Sequence, residues 1–143
     1  MATSNSTAEL AGVLRPALLR LTRLIRMQRV DTSITLTQLS VLVSIENNGP
    51  MSPGEIASCE RVQPPSMTKV LASLEERGLV VRTVHPTDRR QAVIDLTEAG
   101  HELIDSERLS RDRWFSQQLA RLSEEERAVL RKALPLLDKL AEL

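Results

Sequence analysis

The sequence predicts a mainly α protein with one small β-hairpin, an α+β fold, and three observations support this. Apolar residues recur every three or four positions near both ends of the 143-residue chain, as on one face of a helix. Three Ser/Thr-x-x-Glu/Gln sequences have the form of capping boxes, which begin helices. One pair of short β-branched runs, separated by turn-forming residues, lies between residues 79 and 96. Helices are therefore expected on both sides of a single hairpin.

The first helix is predicted from a seam of apolar residues whose spacings alternate between four and three, which is typical of a helix that packs against a partner. They are Leu10, Leu14, Ala17, Leu21 and Leu24. Pro16 either kinks this helix or marks a start at its first turn. Arginines at positions 15, 20, 23, 26 and 29 favour a solvated face with salt bridges to the acidic C-terminal segment, and contact with a DNA backbone is the alternative.

Two short helices follow, each opened by a capping box. Residues 35–38 (TLTQ) begin a buried helix that ends near Gly49, and residues 52–55 (SPGE) begin a helix from Pro53 to about Cys59. A turn near Arg61 then leads to a further helix. Short helices joined by such a turn are the arrangement of a helix-turn-helix.

The helix after the turn is amphipathic. Pro64 and Pro65 suit its first turn, because proline has a fixed φ and no N–H group. The face expected to be buried carries Met67, Val70, Leu71 and Leu74. The opposite side is small, polar or cationic and could approach the floor of a nucleic-acid groove. The candidate contact residues there are Gln63, Pro65, Ser66, Thr68, Lys69 and Ser73.

A β-hairpin is predicted directly after this helix. Gly78 ends the helix in a left-handed conformation, and a strand begins at Leu79. Residues 85–88 (HPTD) form the turn, and residues 92–96 return as the second strand. The tip carries the adjacent Arg89 and Arg90, which packing explains poorly and which match phosphates or a narrow minor groove.

The C-terminal part is predicted to be two helices. Thr97 caps a long helix from Glu98 to about Leu119, and residues 123–126 (SEEE) form the third capping box. The last helix has an apolar stripe and a proline expected to kink it. These residues are Leu130, Leu134, Leu137, Ala141 and Pro135. Because apolar stripes occur at both ends of the chain, we expect helices from both ends to pack with those of a second copy in a two-fold dimer.

Composition limits the alternatives. The 19 basic and 19 acidic residues cancel, and the bases exceed the acids between residues 61 and 90. Cys59 is the only cysteine and is expected to be buried or inert. No apolar signal region or membrane-length segment is evident, so a cytoplasmic protein without membrane association is expected. No catalytic motif, metal-ligand cluster or phosphate-binding loop is present, which predicts a non-enzyme without metal or cofactor.

A spaced pattern joins the wing loop, the second strand and the next helix, and it consists of Asp88, Arg90, Ile94, Leu96, Thr97 and Gly100. With Ile94 in place of Val, it is similar to the wing signature D-x-R-x-x-x-V-x-L-T-x-x-G, so the hairpin and the next helix resemble the MarR family of winged helix-turn-helix transcriptional regulators. Residues 74–80 (LEERGLV) resemble the end of the family's recognition helix. The chain departs from its relatives at Arg61, where glycine is frequent, and at Pro64 and Pro65, where polar residues are usual.

The resemblance implies a homodimer that binds double-stranded DNA at a palindromic operator, with a repressor as the expected regulator. Arg90 would enter the minor groove with Asp88 orienting it, although Asp88 could instead cap the turn. Arg89 would meet phosphate, and Ser66, Thr68 and Lys69 would face the major groove. The implied division is an N-terminal dimerisation helix (1–34), the winged helix-turn-helix (35–97) and C-terminal dimerisation helices (98–143).

Two matters stay open at the level of sequence. The family resemblance permits a small-molecule effector or stress signal that releases DNA, yet no residue can be assigned to an effector site. A winged-helix module that binds proteins rather than DNA is the alternative function, and the two arginines at the wing tip argue against it.

Overall fold

The computed structural model describes residues 2–142 and the side chains of residues 6–142. Over these residues the elements are α1 (Ala2–Arg26), α2 (Leu36–Asn48), α3 (Pro53–Glu60), α4 (Pro64–Glu76), β1 (Val80–Val84), β2 (Ala92–Leu96), α5 (Glu98–Leu119) and α6 (Glu124–Ala141). This confirms the mainly α fold with one hairpin. The chain divides into two compact units, one formed by Arg29–Leu109 and the other by the described residues outside it. The three-part division drawn from the sequence remains a prediction.

All three predicted capping boxes are present. In each, the Ser or Thr hydroxyl accepts from the N3 amide while the N3 side chain accepts from the N-cap amide, at Thr35 and Gln38, Ser52 and Glu55, and Ser123 and Glu126. These reciprocal bonds satisfy amides that a helix start would otherwise leave free. The boundaries of α2, α3 and α6 are therefore determined locally.

The Arg29–Leu109 unit has one apolar core, in which the predicted face of α4 is largely confirmed. Met67, Leu71 and Leu74 are buried, and Val70 is half-buried against them. The other buried apolar side chains come from every element of the unit. They include Ile34, Leu39, Val41, Leu42, Ile45, Met51, Ile56, Leu79, Val80, Ile94, Leu96 and Ile104. Burying one face of α4 leaves its other face to solvent.

The hairpin is antiparallel, with Val80 opposite Leu96 and Val84 opposite Ala92. Its first strand begins one residue later than predicted and extends to Val84, and the second strand matches the prediction. Met51 adds a bridge that the sequence did not reveal: its amide donates to the Ile94 carbonyl at 3.0 Å and its carbonyl accepts from the Ile94 amide at 2.8 Å. A single bridging residue is too short to show the alternation of apolar and polar residues that marks a strand, so sequence periodicity could not predict this bridge.

One junction joins the C-terminal end of α4, which is the predicted recognition helix, to the hairpin and to α5. Gly78 has φ 71°, its amide donates to the Glu75 carbonyl at 3.0 Å, and the Leu79 amide donates to the Leu74 carbonyl at 3.0 Å, which together form a Schellman motif. The Thr97 hydroxyl donates to the Gly78 carbonyl at 2.6 Å. The end of α4 is thereby tied to the residue that precedes α5.

Thr97 also begins α5, as predicted. Its hydroxyl accepts from the Gly100 amide at 3.1 Å, and its own amide donates to the Leu79 carbonyl at 3.1 Å. The backbone passes so closely here that a Cβ atom on Gly100 would lie 2.2 Å from the Leu79 oxygen. Gly100 is thus required by packing.

A buried carboxylate attaches the segment between α1 and α2 to α5. Glu107 is 2% exposed, and its Oε1 accepts from the Val30 amide at 3.2 Å and the Asp31 amide at 3.0 Å. Its Oε2 lies 3.6 Å from Nε of Arg29. The arginine neutralises the carboxylate, which makes burial of the charge tolerable. The sequence predicts that Arg29 lies on a solvated face with salt bridges to the acidic C-terminal segment. Its pairing with Glu107 agrees with the salt bridge, whereas its side chain is largely buried rather than solvated.

The first and last helices, α1 and α6, are called the outer helices here, and they bury few of their own apolar residues. Pro16 lies inside α1 and Pro135 inside α6. No residue of α6 is buried, and apolar side chains on both helices are exposed. They include Leu10, Val13, Leu18, Leu19, Leu21 and Leu24 on α1, and Val129, Leu130, Leu134, Leu136, Leu137 and Leu140 on α6.

Substitution of Gly100 by Ala tests the junction. We expect it to lower the free energy of unfolding by about 1–3 kcal/mol, because the added methyl group collides with a backbone carbonyl that cannot rotate away. Chemical denaturation of the full chain would measure this. Gly12→Ala is the matched control, since a Cβ atom there meets nothing within 4 Å. An equally stable Gly100→Ala protein would contradict the close approach.

Candidate nucleic-acid interface

The helix-turn-helix consists of α3, a three-residue turn and α4. Arg61 ends α3 with φ 54° and ψ 41°, which is the left-handed region, and its amide donates to the Ser58 carbonyl at 3.2 Å. The Val62 amide then donates to the Ala57 carbonyl at 3.0 Å. The turn therefore has the geometry for which glycine is favoured, although its residue is an arginine.

The outer face of α4 is exposed where the sequence predicted contacts. Gln63, at the N-cap, is exposed, and its side chain makes no capping hydrogen bond. Pro65, Ser66 and Lys69 are also exposed. The exposed Thr68 hydroxyl donates to the Pro64 carbonyl at 3.0 Å, which leaves its methyl group and oxygen lone pairs available. This face offers one cation, several hydrogen-bonding groups and little bulk.

Ser73 lies at the edge of this face and has a partner within the protein. It is half-buried, and its hydroxyl accepts from Nε2 of Gln38 at 3.0 Å. Gln38 also belongs to the capping box of α2, so one side chain joins the start of α2 to the last turns of α4. Ser73 thus holds the two helices together as well as lying beside the exposed face.

The wing tip is held by side chains that accept hydrogen bonds from backbone amides. Oδ1 of Asp88 accepts from the Arg90 amide at 3.0 Å, which is the turn-capping role considered for Asp88. Nδ1 of His85 accepts from the amides of Thr87 at 3.2 Å and Asp88 at 3.1 Å. The sequence predicts that His85 lies in the turn. Its role as a hydrogen-bond acceptor depends on the orientation of the ring, which no sequence pattern indicates.

Three cations of the predicted surface have no anionic partner among the described residues. No carboxylate lies within 4.0 Å of the charged nitrogens of Lys69, Arg89 or Arg90. Two other arginines near α4 are paired: Nε of Arg82 lies 3.5 Å from Glu75 and Nη2 of Arg77 lies 2.8 Å from Asp31. The unpaired positive charge of this region lies on α4, on the wing tip and on the exposed Arg61 of the turn before α4.

The ion pair of Arg77 belongs to a small local network. The hydroxyl and amide of Ser33 donate to Oδ1 of Asp31, and together with the Arg77 guanidinium they hold the pKa of Asp31 below its usual value. The network fixes the segment before α2 to the C-terminal end of α4. Arg77 is consequently occupied within the protein, in contrast to Lys69.

Cys59 departs from its expected environment. Its side chain is exposed at the end of α3, and Sγ lies 3.9 Å from the Ser44 hydroxyl. The apolar residues of α3 that enter the core are Ile56 and Ala57, and Cys59 lies beyond them in the last turn of the helix. Within residues 2–142, no three His, Cys, Asp or Glu side chains are placed to share a metal ion. No helix of that range is long and apolar enough to cross a bilayer.

These features define a winged helix-turn-helix: a short helix, a tight turn, a second helix with an exposed polar face, and a hairpin with a basic tip. A family model described as MarR family matches residues 34–92. The chain is 43% identical to the HTH-type transcriptional regulator MT0903.1 of Mycobacterium tuberculosis over 93% of each chain. The chain belongs to the MarR family, whose members are non-enzymatic DNA-binding transcriptional regulators.

Two further proteins are similar to this chain, one in structure and one in sequence. The crystal structure of a Pseudomonas aeruginosa PA01 protein superposes with a TM-score of 0.86 at 33% identity, covering 97% of this chain and 98% of the other. The HTH-type transcriptional repressor NicR of Pseudomonas putida is 30% identical over 70% of this chain and 63% of NicR. The resemblance drawn from the wing signature is thereby confirmed at the level of family and fold.

Substitution of Arg61 by Gly tests the turn. We expect the free energy of unfolding to rise by roughly 0.5–1 kcal/mol, because glycine adopts the left-handed conformation without the steric cost that arginine bears. The Arg61 side chain is exposed, so its removal costs little packing. Denaturant unfolding is the measurement, and Arg61→Ala, which retains the Cβ atom, is the control. A stabilisation by Ala equal to that by Gly would show that the side chain, rather than φ, was responsible.

Proposed function

We propose that this protein is a homodimeric repressor that binds a palindromic DNA operator and releases it in response to a small molecule or stress signal. The observation that carries the proposal is the set of unpaired cations on the exposed face of α4 and the wing tip. Charges left without partners beside hydrogen-bonding side chains suit a polyanion with readable base edges. A cytoplasmic site of action goes with this proposal.

Each element has a distinct role in the proposal. Ser66, Thr68 and Lys69, with Gln63 and Pro65 at the helix start, face the major groove, and Ser73 borders them. The Thr68 methyl group and Pro65 add apolar contact of the kind that thymine methyl groups favour. Arg90 enters the minor groove and Arg89 meets phosphate. Asp88 contributes by fixing the backbone at Arg90, which the 3.0 Å bond to the Arg90 amide supports.

Dimerisation is supported by the outer helices. Leu10 on α1 is 59% exposed and Leu140 on α6 is 63% exposed, and several other apolar side chains on each helix are exposed as well. Monomeric soluble proteins rarely expose so much apolar surface on one helix. A two-fold assembly would cover the apolar faces and place two α4 helices about one turn of DNA apart. Palindromic operators follow from that symmetry.

The regulatory response is proposed from relatives of the chain. Repression is proposed because NicR, a relative over most of the chain, is a repressor. The effector is proposed from the family alone, with no site residues assigned. The free arginines at the wing tip disfavour the alternative of a winged-helix module that binds proteins instead of DNA.

Alanine substitution of Lys69 or Arg90 tests the reading surface. The probe is a duplex selected from a random library by the unsubstituted protein. We expect Arg90→Ala to weaken binding by about 1–3 kcal/mol per subunit, since it removes an unpaired charge from the DNA contact. Lys69→Ala should lower the magnitude of the slope of log affinity against log salt concentration by roughly one per subunit, which is about two for the dimer. Titration by fluorescence anisotropy at several salt concentrations would show both effects.

Arg113→Ala is the matched control, because Arg113 is an exposed arginine on α5 outside the proposed surface. It is expected to bind like the unsubstituted protein. Unchanged affinity and salt slope in both test variants would contradict the assignment of the surface. Selection of no duplex at all would favour the protein-interaction alternative.

Solution mass tests the dimer. Light scattering at micromolar concentration should give twice the 16.0 kDa of one chain. Leu134→Arg, which puts a charge on the apolar face of α6, should shift the mass towards one chain because an unpaired buried charge is costly. Leu36→Arg is the control, since Leu36 is 52% exposed on α2. A monomeric unsubstituted protein would refute the proposed assembly.

A further inference from the structure

Arg61 occupies a strained backbone position in the turn of the helix-turn-helix. It is the one residue other than glycine with a positive φ in the part of the chain that the structure describes. Its φ of 54° and ψ of 41° lie in the left-handed region, where Cβ comes close to a carbonyl oxygen. Glycine fits this position without the strain that arginine bears. A side chain kept in such a conformation is a candidate for a functional role.

The turn is held by backbone groups alone. The Arg61 amide donates to the Ser58 carbonyl at 3.2 Å, and the Val62 amide donates to the Ala57 carbonyl at 3.0 Å. Neither bond involves the guanidinium of Arg61. Together they fix the point from which this side chain starts, between the last turn of α3 and the first turn of α4. The local structure therefore needs the left-handed backbone but not the arginine side chain.

The guanidinium has no partner within the protein. Arg61 is exposed, and no carboxylate or other hydrogen-bonding group of residues 6–142 contacts its side chain. Its neighbour in sequence, Glu60, is occupied by α2: Oε2 of Glu60 accepts from the Ser40 hydroxyl at 2.8 Å, and Oε1 accepts from the Ser44 hydroxyl. The acid next to Arg61 along the chain is thus bound elsewhere, which leaves the positive charge free.

The position of this charge relative to α4 indicates what it contacts. Arg61 precedes Gln63, the N-cap of α4, and the exposed face of that helix carries Lys69. In a helix-turn-helix bound to DNA, the second helix lies in the major groove while the first crosses the sugar-phosphate backbone. The turn between the two helices therefore lies at the edge of the groove, beside phosphates.

The first turn of α4 adds to the case for a phosphate contact. Helix N-termini ordinarily bind phosphate through their free backbone amides. Pro64 and Pro65 are the first two residues of α4 and have no N–H group, so two of those donors are missing here. A guanidinium carries five donors in a fixed fork that matches phosphate oxygens. Arg61 thus supplies donors beside a helix start from which prolines have removed them.

We propose that Arg61 contacts a DNA phosphate at the edge of the major groove, and that this contact is the reason for an arginine in a turn that glycine would fit better. The inference rests on the proposed function, in which α4 lies in the major groove. It extends that function by adding a contact outside α4 and the wing. Arginine at this position favours DNA binding, whereas glycine favours folding.

The experiment measures DNA affinity and stability of the full chain and of Arg61→Gly, Arg61→Asn and Arg61→Lys. Affinity is titrated by fluorescence anisotropy at several salt concentrations. One probe is a duplex selected by the unsubstituted protein, and the other is a scrambled duplex of the same length and composition. Denaturant unfolding gives the stability of each variant.

We expect Arg61→Gly to be more stable than the unsubstituted protein and yet to bind more weakly. The loss should be about fivefold to tenfold per subunit near 0.1 M salt, in line with one phosphate contact. The slope of log affinity against log salt concentration should fall in magnitude by roughly one per subunit, which is about two for the dimer. Because a phosphate contact carries no sequence information, the scrambled duplex should lose the same factor.

The other variants separate charge from backbone geometry. Arg61→Asn is neutral and tolerates the left-handed conformation, so it should bind like Arg61→Gly. Arg61→Lys keeps both the charge and the strained backbone, so it should retain the salt slope and the stability of the unsubstituted protein. Arg113→Ala, on α5 and outside the proposed surface, is the matched control and should change neither affinity nor slope.

Several results would overturn the proposal. Arg61→Gly might bind as tightly as the unsubstituted protein, or its loss might be confined to the selected duplex, which would indicate a base contact instead. Weaker binding with an unchanged salt slope would show that flexibility of the turn, rather than loss of charge, was responsible. If Lys69→Ala and Arg90→Ala weaken binding and Arg61→Gly does not, the proposed function stands and this role alone is refuted. If the unsubstituted protein selects no duplex, the proposed function fails and this contact fails with it.

Discussion

The contact on which the rest depends is the passage of the α5 backbone across the end of α4. Gly100 approaches the Leu79 carbonyl so closely that no side chain fits, while the Thr97 hydroxyl bonds the Gly78 carbonyl. Because α4, both strands and α5 all begin or end within a few residues of this point, their directions are set together. The wing therefore stands in a fixed relation to the recognition helix, which a flexible connection would not ensure.

The function follows from where charges are left unpaired rather than from how many there are. The net charge of the chain is zero, and several arginines of the Arg29–Leu109 unit are used internally. Arg29 neutralises the buried Glu107, and Arg77 holds Asp31. Lys69, Arg89 and Arg90 have no such partners among the described residues. Internal pairing thus removes charge from parts of the surface and leaves it on Arg61 of the turn, on Lys69 of α4 and on the wing tip.

The two compact units obtain stability in different ways. The Arg29–Leu109 unit buries leucine, isoleucine, valine and methionine side chains from each of its elements in one core. The outer helices expose much of their apolar surface, and no residue of α6 is buried. Burial of apolar area is the main favourable term in folding and association, so these helices have more to gain from a partner than from their own chain. Sequence periodicity had indicated the same faces without showing what covers them.

The sequence by itself determined the local elements. Residues within four positions of each other form the capping boxes, the glycine end of α4 and the amphipathic face of Met67, Leu71 and Leu74, so short-range pattern was sufficient. Only the tertiary structure decided the bridge of Met51, the pairing of Arg29 with Glu107, the exposure of Cys59 and the acceptor role of His85. Those features depend on which distant groups meet and on how a ring is turned, and neither is encoded in a local spacing.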